Sequence, residues 1–354
     1  MKNKPKLIAG VFLTAVLALV ASAQSERTPQ PLGAEKTPIS FIHIDIKNNQ
    51  DETLGRIVDL GIDVVNGRIV EVLVKSDSSL DVSGKIVAVP PGALSRDPNP
   101  RVYRLNASRE AFKSAAGIDL SKWVESGRSD RVAAAYYLFG QEPYFLEEGD
   151  TANRKDARPK VSLGYVERCN KLIGMPVGNY QGDQFGEVWS MSMDILKGRI
   201  LSVIVLAPGN FKTKSVIPAM ALDFNPARDA LLLDDTKEEY AEEPRYIYTE
   251  AAFGNEGSSQ EEAYQGKRTS VALEQGESYH DIDRTLLVRQ NIRVAKIYQR
   301  NVEVGTMDGR VTLRGWVRTN EDRERIGQIA IAASRVELVD NQITVGRPVA
   351  AVAR

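Results

Sequence analysis

The chain has 354 residues, with 46 basic and 47 acidic side chains, 42% hydrophobic residues and one cysteine. Such a charge balance leaves no basic footprint for nucleic acid, and the lone Cys169 excludes a disulfide within the chain. The length accommodates two or three domains of modest core, and the pattern shows three.

Lys2, Lys4 and Lys6 precede an apolar stretch from Leu7 to Val20 and then Ala21-Ser22-Ala23, the order of a secretory signal cleaved after Ala23. The rival reading is a retained anchor, for which the apolar core is short against the ~20 residues of a spanning helix. A periplasmic or otherwise exported location is the expectation. Residues 24–39 form a polar, proline-bearing leader with nothing to bury.

The segment 41–112 is repeated by 172–240. A shift of 131 lays Gly55 on Gly186, Asp63 on Asp194, Gly67-Arg68-Ile69 on Gly198-Arg199-Ile200, and Val72 and Val74 on Val203 and Val205. A shift of 128 then superimposes Pro90, Ala93, Leu94, Pro98, Leu105 and Glu110 on Pro218, Ala221, Leu222, Pro226, Leu233 and Glu238. In the first copy, placed at 40–115, Ile42, Ile44 and Ile46 alternate with His43 and Asp45 as a strand with one buried face. Extended pieces follow at Leu54 to Leu60 and Ile62 to Val65, a hairpin at Asn66-Gly67, and a strand from Arg68 to Val74. Pro90 and Leu94 mark a fourth extended segment, Val102 to Leu105 a last strand, and Ser108 starts a short helix. The second copy, 169–245, turns at Lys197-Gly198 and ends in a capping box of Thr236 and Glu239. Five or six short strands with a terminal helix predict a small closed barrel, which would leave no open edges.

Between the copies, 116–168 is an arm that concentrates Trp123, Tyr136, Tyr137, Phe139, Tyr144 and Phe145 before a polar stretch. These aromatics are expected to pack the arm on a barrel, the alternative being a groove for a partner. Residues 246–280, rich in Gly, Ser, Gln and Glu, read as a flexible linker. The last unit, 281–346, reads as helix, strand, strand, helix, strand, with both helices on one face of a three-stranded sheet. Its first helix starts near Asp283 and carries Leu287, Val288, Ile292 and Ala295 along one side. Asn320 caps the second, whose buried stripe is Ile326, Ile329, Ala330 and Ala333.

Leu54-Gly55-Arg56-Ile57, Asn66-Gly67-Arg68-Ile69 and Val87-Ala88-Val89-Pro90, echoed by Phe185-Gly186-Glu187-Val188, Lys197-Gly198-Arg199-Ile200 and Ile217-Pro218, resemble the PRC-barrel. Gly140-Gln141-Glu142-Pro143-Tyr144 resembles the tail that follows such barrels in exported bacterial proteins. Val304-Gly305-Thr306-Met307-Asp308-Gly309, the strand through Gly315 and Trp316, and Val336 to Val345 are similar to the BON domain, with Arg335 where a glycine is common. The fold expected is therefore mainly β with α+β, two PRC-type barrels in tandem and a BON-type domain. The resemblance implies attachment to membrane surface, envelope polymer or protein, and neither family is catalytic in general.

The residues themselves point the same way. His43 and His280 stand near no cysteine or carboxylate pair at metal-ligand spacing, so no metal is expected, and no cofactor either. Phosphate-cradling glycine loops and a Gly-x-Ser-x-Gly elbow are absent. Asp63 and Asp194 are read as turn acceptors, and Cys169 as a buried small side chain. Arg310, Arg314 and Arg318 alternate with apolar positions and share the outer strand face with Trp316. These four are the candidate contact for a protein partner or anionic phospholipid, at ~1 kcal/mol per base. The competing reading is a solvated face paired in part with Glu321 and Glu324. Function reduces to a non-enzymatic exported binding or scaffold protein, with an envelope stress-protection protein lacking a dedicated partner, or a hydrolase built on carboxylates, as alternatives.

Overall fold

The computed structural model describes residues 41, 44–82, 84–123, 129–145, 161–209, 213–241, 245–247, 273–297, 301–334 and 339–346. The signal, the polar leader, His43, the polar stretch 147–160, Arg335 and the middle of the linker fall outside them.

The first unit contains β1 (Asp45–Asn48), β2 (Thr53–Asp63), β3 (Arg68–Ser76), β4 (Ile86–Val89), β5 (Leu94–Arg96) and β6 (Val102–Leu105), then α1 (Arg109–Ser114). Ser108 caps α1 by accepting the Ala111 N–H. The arm supplies α2 (Ser129–Leu138) and β7 (Val166–Arg168), which pairs with β2. The second unit follows with α3 (Cys169–Leu172), β8 (Pro176–Asn179), β9 (Gln184–Asp194), β10 (Arg199–Leu206), β11 (Thr213–Pro218), β12 (Asp223–Asn225), β13 (Ala230–Leu233), α4 (Lys237–Ala241) and β14 (Arg245–Ile247).

Pairing is the same in both units, residue for residue. Ile46 opposite Tyr103 becomes Val177 opposite Leu231, in parallel ladders. Ile57 opposite Val74 and Asp63 opposite Arg68 become Val188 opposite Val205 and Asp194 opposite Arg199. Even the irregularities match: Val58 and Val70 are the extra residues of two bulges in the first unit, Trp189 and Leu201 in the second. Gly55 and Gly186 recur because a Cβ there would stand 2.3 and 2.0 Å from the carbonyl oxygens of Lys75 and Leu206. Gly67 and Gly198 close the hairpins with φ of 62° and 58°. The two hairpin tips then meet each other. Ile69 donates to the Gly198 carbonyl and Ile200 to the Gly67 carbonyl, both at 3.0 Å, joining the units into one fourteen-stranded sheet.

The expected barrel closure is corrected. In the first unit the ladder ends at β4 and β5, and in the second it ends at β12 and, past β11, at β14; β4 and β5, like β11 and β12, do not pair but are joined by chain through 3-10 turns at Pro91–Ala93 and Ala219–Ala221. Pro90 and Pro218 start these turns with no N–H to offer a ladder, so the circuit is completed covalently rather than by hydrogen bonds. What the expectation took as two extended pieces before the hairpin is largely one strand, β2, with a bulge at Val58. The two units share a single apolar core including Ile46, Leu54, Ile57, Val72, Phe112, Val177, Phe185, Val203 and Leu233.

The C-terminal unit runs α5 (Tyr279–Val294), β15 (Val302–Met307), β16 (Arg310–Val317), α6 (Asn320–Ser334) and β17 (Val339–Val345). β15 and β16 are antiparallel, while β16 and β17 are parallel. Val288 and Ile292 of α5 meet Ile326 and Ala330 of α6 over Val304, Val311, Leu313 and Ile343. Three expectations shift here. α5 begins at Tyr279, capped by Ser278, because Asp281 is needed at its first turn to accept the Asp308 and Gly309 N–H groups of the β15–β16 hairpin. α6 is capped by Thr319, whose Oγ1 accepts the Asp322 N–H at 3.1 Å, rather than by Asn320. Both ends of the expected linker are structured. Residues 246 and 247 lie in β14 on β11, and Gln275 is buried among Thr285 and Thr306, with Gly276 donating to the Thr306 carbonyl at 2.7 Å.

Candidate functional site

On β16, Val311, Leu313 and Val317 point into the core, so Arg310, Thr312, Arg314 and Trp316 emerge on the face opposite the helices. Arg310 is exposed. Arg314 pairs across the ladder with Glu303 at 2.7 Å. Arg318 lies one residue beyond the strand and reaches Glu239 on α4 of the second unit. Burial works to raise the Glu239 carboxyl, but the Thr236 N–H and Arg318 outweigh it and hold it below the usual glutamate range. The strip thus brings Arg310, Arg314 and Trp316 together and sends Arg318 to a neighbour.

The aromatic arm is largely packed. Trp123, Tyr136, Phe139, Tyr144 and Phe145 are buried, and only Tyr137, at 54% exposed, faces outward among these six. Tyr136, Tyr144 and Phe145 form a mutual edge-to-face cluster that also takes in Val70 and Leu286. On α2, Arg131 meets Glu71 at 2.5 Å. Glu71 is fully buried, and burial raises its carboxyl against the pull of Arg131.

Asp63 and Asp194 occupy the predicted turn positions. Asp63 accepts from the Asn66 N–H, the Asn66 side chain and the Gly164 N–H, and burial raises its carboxyl. Asp194 accepts the Lys197 N–H at 3.2 Å. Cys169 is buried, and burial followed by the nearby Asp59 pushes its thiol up, away from the reactive thiolate. His280 is exposed on the first turn of α5 rather than in a linker. Among the described residues no group of three or more His, Cys, Asp or Glu is placed to hold a metal, and no helix is long and apolar enough to cross a membrane.

Sequence reasoning missed the junction of the three units. From α5, Arg289 donates to the carbonyls of Asn66 and Met220 at 3.4 and 2.8 Å. Arg293 donates to the Val65 carbonyl and pairs with Asp223, both at 3.0 Å. Arg199 reaches the Leu273 carbonyl at 3.1 Å. The signal was present: Arg289 and Arg293 stand four apart on a helix whose neighbouring positions Leu286, Val288 and Ile292 are apolar, so both fall toward a buried side.

Comparison with known proteins agrees with this geometry in two places. No curated protein matches the chain. Residues 166–240, the second β unit with β7, match the PRC-barrel domain family, and residues 281–347, the α5 to β17 unit, match the BON domain family.

Proposed function

We propose that this is a non-enzymatic binding or scaffold protein of the bacterial envelope, exported by its amino-terminal segment and cleaved after Ala23. In this reading residues 40–115 are a second PRC-type barrel in tandem with the matched one. The support is the identical register of the two units, down to the extra residues Val58 and Trp189, Val70 and Leu201. The β units dock on a protein partner, and the BON-like unit, 281–346, docks on anionic phospholipid or protein.

The observation that carries the docking role is the outer face of β16 within a BON-matched unit, where Arg310, Arg314 and Trp316 emerge opposite both helices. A basic strip beside an indole suits a headgroup layer, to which each base adds ~1 kcal/mol. Arg310 supplies the most accessible charge, since Arg314 and Arg318 already have acidic partners.

Co-sedimentation of the full chain with vesicles of anionic and of neutral phospholipid tests this. Binding to anionic vesicles should weaken with salt and fall on Arg310→Ala combined with Arg314→Ala. Absent or salt-insensitive binding removes the lipid role, and pull-down from native envelope then decides between a stoichiometric protein partner and a stress protein that has none. Sequencing the amino terminus of the mature protein should read from Gln24.

A further inference from the structure

Where the hairpin tips meet α5, a cavity of about 70 Å³ is walled by Arg68 and by apolar side chains that include Ile200, Met220, Leu273, Leu286 and Val304. Arg68 is only 7% exposed, and it donates through one terminal nitrogen to the Lys197 carbonyl at 3.0 Å. Its Nε meets no acceptor within hydrogen-bond distance, and the Tyr144 ring lies 5.5 Å from the guanidinium. Arg289, 6% exposed, spends its bonds on the carbonyls of Asn66 and Met220, two residues of the cavity wall. Among the described residues neither guanidinium forms an ion pair with a carboxylate. A guanidinium withdrawn from water is costly without a counter-charge, and a buried donor without an acceptor adds to that cost. Arg68 stands on the cavity wall, as does Arg199, while Arg289 braces that wall from behind, and a buried guanidinium facing such a space marks a place built for a negative ligand.

We infer that the junction cavity binds a small monocarboxylate carrying a short apolar tail, its carboxylate on Arg68 and its tail among Ile200, Met220 and Leu286. The size limits the ligand: the space holds roughly five water-sized groups. The charge limits it further. Glu303 shares the wall, held by Arg314, and repels any anion, but a dianion such as phosphate about twice as strongly as a monocarboxylate. The walls are mainly apolar, which suits a tail, and their polar side chains Asn66, Arg199, Gln275 and Thr285 donate to protein acceptors, which serves an ion with oxygens on every side poorly. Such a ligand would touch all three units at once and tie them together.

Ligand-observed NMR on the full chain tests the site with propionate as probe, against 1-propanol and inorganic phosphate at matched ionic strength. Propionate should bind and raise the Tm, and the two controls should not. Arg68→Met should weaken propionate binding about tenfold or more. Ala221→Leu, which fills the cavity and keeps both arginines, should abolish binding while cooperative unfolding persists. No binding of propionate, equal binding of 1-propanol, preference for phosphate, or unchanged binding in a folded Ala221→Leu protein would each overturn the assignment.

Discussion

The two β units share a backbone and differ in what covers them. Inward positions are apolar in both, as in Ile57 and Val188, Leu60 and Met191, Ile62 and Met193, Ile69 and Ile200. Outward positions diverge. Glu71 of the first unit corresponds to Ser202 of the second, Val58 to Trp189, and Val70 to Leu201. The arm accounts for the difference: Trp123, Tyr136 and Phe145 lie over the first unit with Val70, Leu73 and Val58, and Arg131 answers the buried Glu71. The same sheet can therefore carry an apolar, sealed outer face or a mixed one, because period-two alternation separates core from surface and lets each face change independently. The three tryptophans, Trp123, Trp189 and Trp316, fall one to each region and allow the units to be followed separately.

The largest test is to strip the arm. Phe145→Ala should cost about 3–5 kcal/mol, read by urea unfolding, and because the two β units share one core and one sheet the Trp123 and Trp189 transitions should move together. A loss read at Trp123 alone would show that the arm and first unit unfold apart from the second. Next, Arg131→Met strands Glu71 in the interior and should cost about 3 kcal/mol, whereas Ser202→Ala at the equivalent place should stay within about 0.5 kcal/mol.

The pH response sharpens the same contrast. Burial raises the Glu71 carboxyl above its usual value of 4.5, so the folded state holds that proton more tightly than the unfolded one. The contribution of Glu71 to stability is then full below 4.5 and is lost as pH rises through the folded-state value. Glu71→Gln should flatten this decline at the Trp123 probe, and an unchanged slope would assign it elsewhere. A smaller, symmetric effect is expected at Asn48 and Asn179, which are buried and brace their loops by accepting the Glu52 and Asp183 N–H groups. Asn48→Ala and Asn179→Ala should each cost about 1–2 kcal/mol, and unequal costs would break the equivalence of the units. Arg318→Ala comes last, at about 0.5 kcal/mol or less given its exposure, detected as a loss of salt sensitivity in protection of the α4 region from proteolysis.

Much of this was legible in advance where the signal is short-range. The hairpin glycines, the Thr236 and Glu239 capping box and the strand from Val102 to Leu105 stand as read, because each depends on a few adjacent residues. The outer placement of Arg310, Arg314 and Trp316 was also visible, since alternation alone sorts a strand's faces. The start of α5 was misplaced because the residues holding its first two turns, Gly309 on Asp281 and Gln275 and Thr306 on Thr285, lie outside the helix. Arg289 and Arg293 escaped notice for a related reason: long basic side chains on a helix are usually solvated, and only the hairpin tips arriving from far along the chain bury them.

The sequence by itself determined the repeat, its strand register and the alternation that divides core from surface, since these follow from periodicity and from glycines where no side chain fits. Only the tertiary structure decided how the circuit of strands is completed, which outer face is sealed, and that three units converge on a charged cavity. Those outcomes depend on which distant groups arrive together, and the desolvation of a carboxylate or guanidinium is settled by neighbours that no local pattern announces.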